Sequence, residues 1–426
     1  MSDPAGPLHV VVTTRAVHPW HGVGGLERHV YDLVRTLAGR DVRVELVTRP
    51  RRAGTPAAGE VFDPARVTVH EVPYVTFPFA GRRGTTILDR STAYPMFGLR
   101  AGRVAASLAA GGGIDLVHSL GASGLGYALR RRRSPAVPFV LNPQGLEEFG
   151  GTGPGRAGLK RVGYWPLQRA VLASARAADV VISTDRALDS TVLGHLPMAR
   201  GKLRLVPNAI DIGACRSAAA RDDGVRARRA AGIPDETAVL LSVGRIEANK
   251  GFDVLARALA HLAKTGGRPA WRWVLVGDGP RRPSLEREIA RSGLAPWTVL
   301  TGRLDTPGLH AWYKAAAVFV HPTLYEGSSL VTLEAMAHHL PVVATRAGGL
   351  PDKVQHGVTG WLVEPGDADA LATALGEAMR DPTRLVEYGK AGALLVEREF
   401  SWEAAGDRLL EVYRALIDPI PPLSLR

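Results

Sequence analysis

At 426 residues the chain is too long for one ordinary core, and 46% apolar with 22% charged residues is the balance of a soluble protein built from two domains. A single cysteine, Cys215, excludes an internal disulfide, and no stretch approaches the ~20 apolar residues that span a bilayer. The net charge of +12 sits in the first half: residues 1–205 hold 27 Lys and Arg against 15 Asp and Glu, and the remainder holds 26 of each.

That excess is densest at Arg51–Arg52, Arg82–Arg83 and Arg130–Arg133. It suits an anionic membrane face, a phosphorylated lipid acceptor or nucleic acid, and equally an arginine-rich solvated surface. Nucleic acid fits worst, because no basic stretch interleaves aromatics and no recognition motif occurs. Asp3 is not preceded by a basic segment, so a secretory signal is not expected. The expectation is a cytoplasmic protein, at the inner face of the membrane if the basic half meets lipid.

In chain order, the sequence predicts a strand over His9–Thr14, a glycine-rich loop over Trp20–Gly25 and a helix over Glu27–Leu37. Strands follow at Val42–Thr48, Asp115–His118, Phe139–Asn142 and Val180–Ser183. Strands alternating with helical text predict a parallel sheet covered on both faces. Arg51–Gly59, Val75–Arg90 and Gly150–Gly158 are rich in Gly, Pro and Arg and are predicted loops.

Near Leu205–Asp211 a second series begins, with strands at Val239–Val243, Trp273–Val276, Val299–Thr301, Val318–His321 and Pro341–Ala344. Its helices are predicted at Phe252–Ala263, Pro283–Arg291, Leu309–Ala315 and Leu330–His338. A last helix, Trp402–Ile417, is apolar on one face and suited to pack back across the first domain. The predicted division is 1–205, 206–402 and a helix with its tail, 403–426. The fold class is α/β, two Rossmann-like doubly wound parallel sheets facing across one cleft, with ligands beyond the carboxyl ends of the strands.

The densest chemistry lies in Tyr325–Met336, YEGSSLVTLEAM, where Glu326 and Glu334 flank a helix start at Gly327, Ser328 and Ser329. A helix begun there turns free N–H groups and its positive end toward an anion, for which a diphosphate is the natural occupant. Glu326 could reach sugar hydroxyls, and Glu334, about a turn and a half inside the helix, could take a ribose diol. The predicted strand 239–243 ends at Gly244, so Arg245 and Lys250 emerge on the ligand side, where two cations could hold both phosphates. Backbone at Gly302, Arg303 and Leu304 could meet a base edge. In the first half, Gly22–Glu27 lacks the G-x-G-x-x-G spacing and would turn Glu27 toward phosphates, which weighs against a redox dinucleotide. Gly24 and Gly25 allow close backbone approach to a sugar or phosphate, and Gln144 after the strand 139–142 is a candidate sugar contact. His118 reads as an ordinary strand-end histidine, and Asp367-Ala-Asp369 as a helix cap rather than a metal pair.

SVGRIEANKGFDVL, VLVGDGP, FVHPTLYEGSSLVTLEAMAHHLPVVAT and GGLPDKVQHGVTGWLVEPGD together resemble family 4 of the retaining, GT-B-fold glycosyltransferases. The likeness covers nearly all of 206–402 and extends more loosely to HGVGGLERHV and NPQGLEEF. It implies a C-terminal domain for the nucleotide-sugar donor, such as a UDP-sugar or GDP-mannose, and an N-terminal domain for a glycan, glycolipid or small-molecule acceptor. Acceptor specificity is then expected in the irregular segments 51–59, 75–100 and 150–165. It further implies Arg245 and Lys250 as the diphosphate clamp, Glu326 on the donor sugar and Glu334 on the ribose. Ser329 and Leu330 would give amides to phosphate, and Gly24 and Gly25 would close on the donor. Hexose transfer would then proceed with retention and with neither metal nor cofactor. One departure stands out: the family usually has a histidine where this chain has Gln144, which cannot change charge near neutral pH. An epimerase or phosphorylase on the same scaffold, and a non-catalytic sugar-nucleotide sensor, are the alternatives.

Overall fold

The computed structural model describes residues 7–22, 24–76, 86–131, 137–144, 149, 163–265 and 270–418. The first sheet contains β1 (His9–Thr13), β2 (Arg43–Thr48), β3 (Val67–Glu71), β4 (Leu116–Leu120), β5 (Phe139–Asn142), β6 (Val180–Ser183) and β7 (Leu203–Leu205). Their order is β3-β2-β1-β4-β5-β6-β7. The second contains β8 (Ala238–Val243), β9 (Trp271–Val276), β10 (Thr298–Gly302), β11 (Val318–His321), β12 (Val342–Thr345) and β13 (Gly360–Val363), ordered β10-β9-β8-β11-β12-β13. Every pairing between these strands is parallel. Parallel strands need both faces covered, which is why β1 reads Val10-Val11-Val12, all fully buried. In β8, Leu240 packs with Phe252 and Leu255 on one face, while Leu241 packs with Leu333 and Met336 on the other. Each such side chain contributes about 1.5–3 kcal/mol on burial.

Packing divides the chain into residues 1–208 with 402–426, and residues 209–401. The helix Trp402–Ile417 thus belongs to the first unit, where the Tyr413 hydroxyl meets Nδ1 of the buried His118 at 2.7 Å. Gly406 lies against Thr36 and Arg40, and the Arg40 guanidinium donates to the Glu403 carbonyl at 2.8 Å. His118 is a buried structural partner of that helix. Among the described residues, no helix is long and apolar enough to cross a membrane.

Two predicted loops need correction. A helix runs from Thr86 to Ala110, through the end of the segment 75–90 and most of the proposed acceptor segment 75–100. Its Pro95, Gly98 and Gly102 read as breakers in the sequence. The two glycines instead bring its backbone against Ala122 and Gly126, too close for any side chain. Within 51–59, a short helix begins at Ala58. The predicted loop 150–158 and the run Gly145–Glu148 fall outside the described residues. In both sheets the connections reverse direction between the first strand and its later neighbour, at β1/β4 and at β8/β11. Ligands of doubly wound sheets bind beyond the carboxyl ends at such points.

Candidate active site

The loops that follow β8 and β11 share one such reversal, and glycine lets them touch. Gly251 has φ +64°, and a side chain there would strike the Pro322 carbonyl; at Gly348, φ +54°, one would overlap the Glu326 carbonyl still more closely. The Asn249 carbonyl ties the two loops together, accepting from Leu324 N at 2.7 Å and from the Thr323 hydroxyl at 2.8 Å. Gly349 N donates to the Gly327 carbonyl at 3.0 Å.

Held this way, Lys250 Nζ donates to Glu326 Oε2 at 2.6 Å, and His321 Nε2 lies 2.8 Å from the same oxygen. Burial pushes the Glu326 carboxyl up, but the His321 hydrogen bond and the Lys250 charge outweigh it and hold the group at about 2. Burial lowers the His321 pKa, so its ring is neutral and Nε2–H donates to the carboxylate. Ser329 Oγ lies 2.9 Å from Thr332 Oγ1 and on the same side as His321.

Directly beyond is the helix Leu330–Ala337, whose N-cap residue Ser329 is extended and makes no side-chain cap. Its first amides therefore have no partner within the helix or from that side chain. Ser328 Oγ is buried and has no partner among the described residues. Inside the helix, the Tyr313 hydroxyl donates to Glu334 Oε2 at 3.0 Å. Burial first, then the neighbouring Glu334, raises the Tyr313 pKa, so the phenol stays a donor.

The sequence-predicted residues separate into groups. Lys250, Glu326, Gly327, Ser328, Ser329 and Leu330 form one cluster, with Gly244 (φ +155°) beside the Lys250 side chain and Glu334 farther along the helix. Arg245 adjoins Gly244, but its guanidinium pairs with Glu247 at 3.1 Å and its side chain is 63% exposed. Gly302, Arg303 and Leu304 lie at the end of β10, two strands from β8; Gly302 accepts from Gly277 N at 2.8 Å, and Arg303 and Leu304 are exposed. In the first unit, Gly24 is the N-cap of the helix Gly25–Ala38 and the Glu27 carboxylate lies against it. Gln144 follows β5 with φ +63°, a strained conformation for a side-chain-bearing residue. Its amide nitrogen Nε2 is buried without a partner among the described residues.

A sequence profile described as Glycosyltransferase Family 4 matches residues 23–213, and one described as Glycosyl transferases group 1 matches residues 237–381. A D-inositol 3-phosphate glycosyltransferase of Catenulispora acidiphila is 30% identical, covering 100% of this chain and 96% of that one. The chain belongs to glycosyltransferase family 4. A second D-inositol 3-phosphate glycosyltransferase, from Thermobispora bispora, is 38% identical over 46% of this chain, a match that spans about half, 47%, of that relative. Sucrose-phosphate synthase from Thermosynechococcus elongatus superposes with TM-score 0.73 at 24% identity, covering 97% of this chain and 99% of that one, which shows the shared GT-B fold.

Residue-by-residue reading of this glycosyltransferase missed His321, Asn249 and Tyr313. His321 ends an apolar strand and Tyr313 sits in an apolar helix, so each reads locally as core. Only the folded contacts, His321 to Glu326 across the turn after β11 and Tyr313 to Glu334 between two helices, show that they orient the two carboxylates.

Proposed function

We propose that this glycosyltransferase moves a hexose from a nucleotide diphosphate sugar, a UDP-sugar or GDP-mannose, to an acceptor hydroxyl, with retention of anomeric configuration and without a metal ion. The observation that carries the reading is the Lys250–Glu326–His321 network at the β8/β11 reversal, directly before an uncapped helix start. The donor diphosphate would lie against the amides of Ser329 and Leu330, where the helix dipole favours negative charge. Lys250 and Arg245 would then oppose the charge that develops as the C1–O bond to phosphate breaks. Glu326, already ionised and oriented by His321, would accept from sugar hydroxyls, and Glu334, held by Tyr313, from the ribose diol. The acceptor oxygen forms its bond to C1 from the face the phosphate leaves, and a departing phosphate oxygen takes its proton. A reaction led by its leaving group needs no strong side-chain base, which suits Gln144, a residue able to bond a sugar but not to titrate.

The full-length relative's name supports a small polyol phosphate as the acceptor. Alanine at Arg245 or Lys250 is expected to lower turnover by about 100-fold or more, the scale for removing a transition-state donor. Turnover by both variants at the wild-type rate would reject the clamp. Inversion at C1 in the NMR spectrum of the product, or loss of activity in EDTA, would reject retention or metal independence. Nucleoside diphosphate release that ignores the acceptor would favour an epimerase- or phosphorylase-type reaction.

A further inference from the structure

Three neighbouring strands of the first unit, β3, β2 and β1, lead at their carboxyl ends into Tyr74, Arg49 and Arg15. The Arg15 guanidinium lies over the Tyr94 ring at 5.1 Å, and that of Arg49 over the Tyr74 ring at 5.7 Å. His21 anchors the Arg49 backbone: its Nδ1 accepts from Val17 N at 3.0 Å, and its Nε2 lies 3.1 Å from the Arg49 carbonyl. Both arginines keep Nε buried with no hydrogen-bond partner among the described residues, while Arg49 Nη2 donates a long bond to the His21 carbonyl at 3.4 Å. Burial, followed by repulsion from Arg15 and Arg52, presses the Arg49 guanidinium below its ordinary range, with Tyr74 and the Glu27 carboxylate acting more weakly the other way. Arg51, in the same loop, differs: it pairs with Glu71 at 2.6 Å. Two partly buried, mutually repelling guanidiniums with no carboxylate at ion-pair distance among the described residues favour an added anion, and a planar fork matches phosphate oxygens bidentately.

We infer that Arg15 and Arg49 form a phosphate-binding site at the carboxyl edge of the seven-stranded sheet, and that the phosphate is the acceptor's. The second half of this statement rests on the transferase reading; the first rests on the arginines alone. Each guanidinium already rests over a tyrosine ring, so less side-chain freedom is lost when the anion arrives.

Calorimetry on the full chain tests the site with inorganic phosphate, D-inositol 3-phosphate, unphosphorylated inositol and vesicles containing phosphatidylglycerol. Inorganic phosphate is expected to bind saturably and to compete with D-inositol 3-phosphate, and inositol to bind far more weakly. Arg15→Gln and Arg49→Gln should each weaken the phosphorylated ligand about tenfold or more, the scale of one charge-assisted contact. Arg51→Gln should leave it unchanged. Vesicle binding that is lost in the two variants, without monoester binding, would assign the same site to a lipid phosphate and overturn the small acceptor. No saturable phosphate binding by the wild type would overturn the site without any variant having to fold. Equal weakening by Arg51→Gln would overturn it too, leaving only a diffuse basic surface. Binding of UDP, GDP or ADP, measured on the same samples, reports the donor side separately: its absence sinks the transferase reading while phosphate binding still stands.

Discussion

Lys250 and Glu326 are both largely withdrawn from solvent, at 18% and 14% side-chain exposure, and each is the other's main counter-charge. A pair in that setting behaves differently from a surface ion pair, which contributes about 0–1 kcal/mol. The Glu326 pKa is depressed from 4.5 to about 2. Its ionised form therefore stabilises the fold above the unfolded value, and that stability is lost as pH falls from about 4.5 toward 2. Glu326→Gln keeps the shape but leaves Lys250 buried and unpaired, which costs about 3–5 kcal/mol. Urea unfolding at neutral pH measures it. A loss below about 1 kcal/mol would show a pair screened by water, and with it a carboxylate not fixed in advance for a sugar.

At the scale of elements, the site depends on how closely the β8 and β11 loops approach. Gly251 and Gly232 share φ +64°, yet a side chain at Gly232 meets nothing within 4 Å, whereas one at Gly251 would overlap the Pro322 carbonyl. Gly232→Ala is expected to cost about 1–2 kcal/mol, the left-handed penalty alone. Gly251→Ala should cost clearly more and should also weaken nucleotide binding, because Lys250 is its neighbour. Thermal unfolding together with nucleotide calorimetry separates the two, and equal effects would deny that the loops must touch. Such contacts explain what the sequence showed and what it hid. Phe139–Asn142, Val180–Ser183, Val318–His321 and Trp402–Ile417 match the sequence reading end to end, since each is an apolar or one-faced run between clear stops. β3, β7 and β13 escaped it: the first two are only partly buried, β7 has three residues, and β13 opens on Gly360. Lys250, Glu326 and Glu334 were legible from local spacing. His321, Tyr313, Arg15 and Arg49 were not: His321 meets Glu326 only through the turn that follows β11, and the other three have partners far along the chain.

Across the whole molecule, acid stability is set by histidines held neutral. Burial is the leading cause in each: it lowers His21 and His29 to about 4, and His118 and His338 to about 3. Three lie in the first unit and His338 in the second, so neither unit is spared. For a histidine whose folded pKa lies below the unfolded value, the unfolded chain binds more protons between the two. Stability is therefore intact above about pH 6.5 and is lost as pH falls toward 4. Each such histidine takes up to about 1.4 kcal/mol per pH unit, so four together approach about 5 kcal/mol per unit. Against a total of about 5–15 kcal/mol, and with the loss starting near pH 6.5, the fold should fail between about pH 5.5 and 4. A mechanism without a titrating side-chain base then makes a distinct claim about turnover. The acid limb of the rate profile should coincide with loss of the far-UV circular dichroism signal. His29→Phe, which removes one buried ionisation beside Trp402, should carry both curves to lower pH together. Turnover that falls while the dichroism is still native would place a titrating group in the reaction itself, and the leaving-group-led mechanism would have to yield.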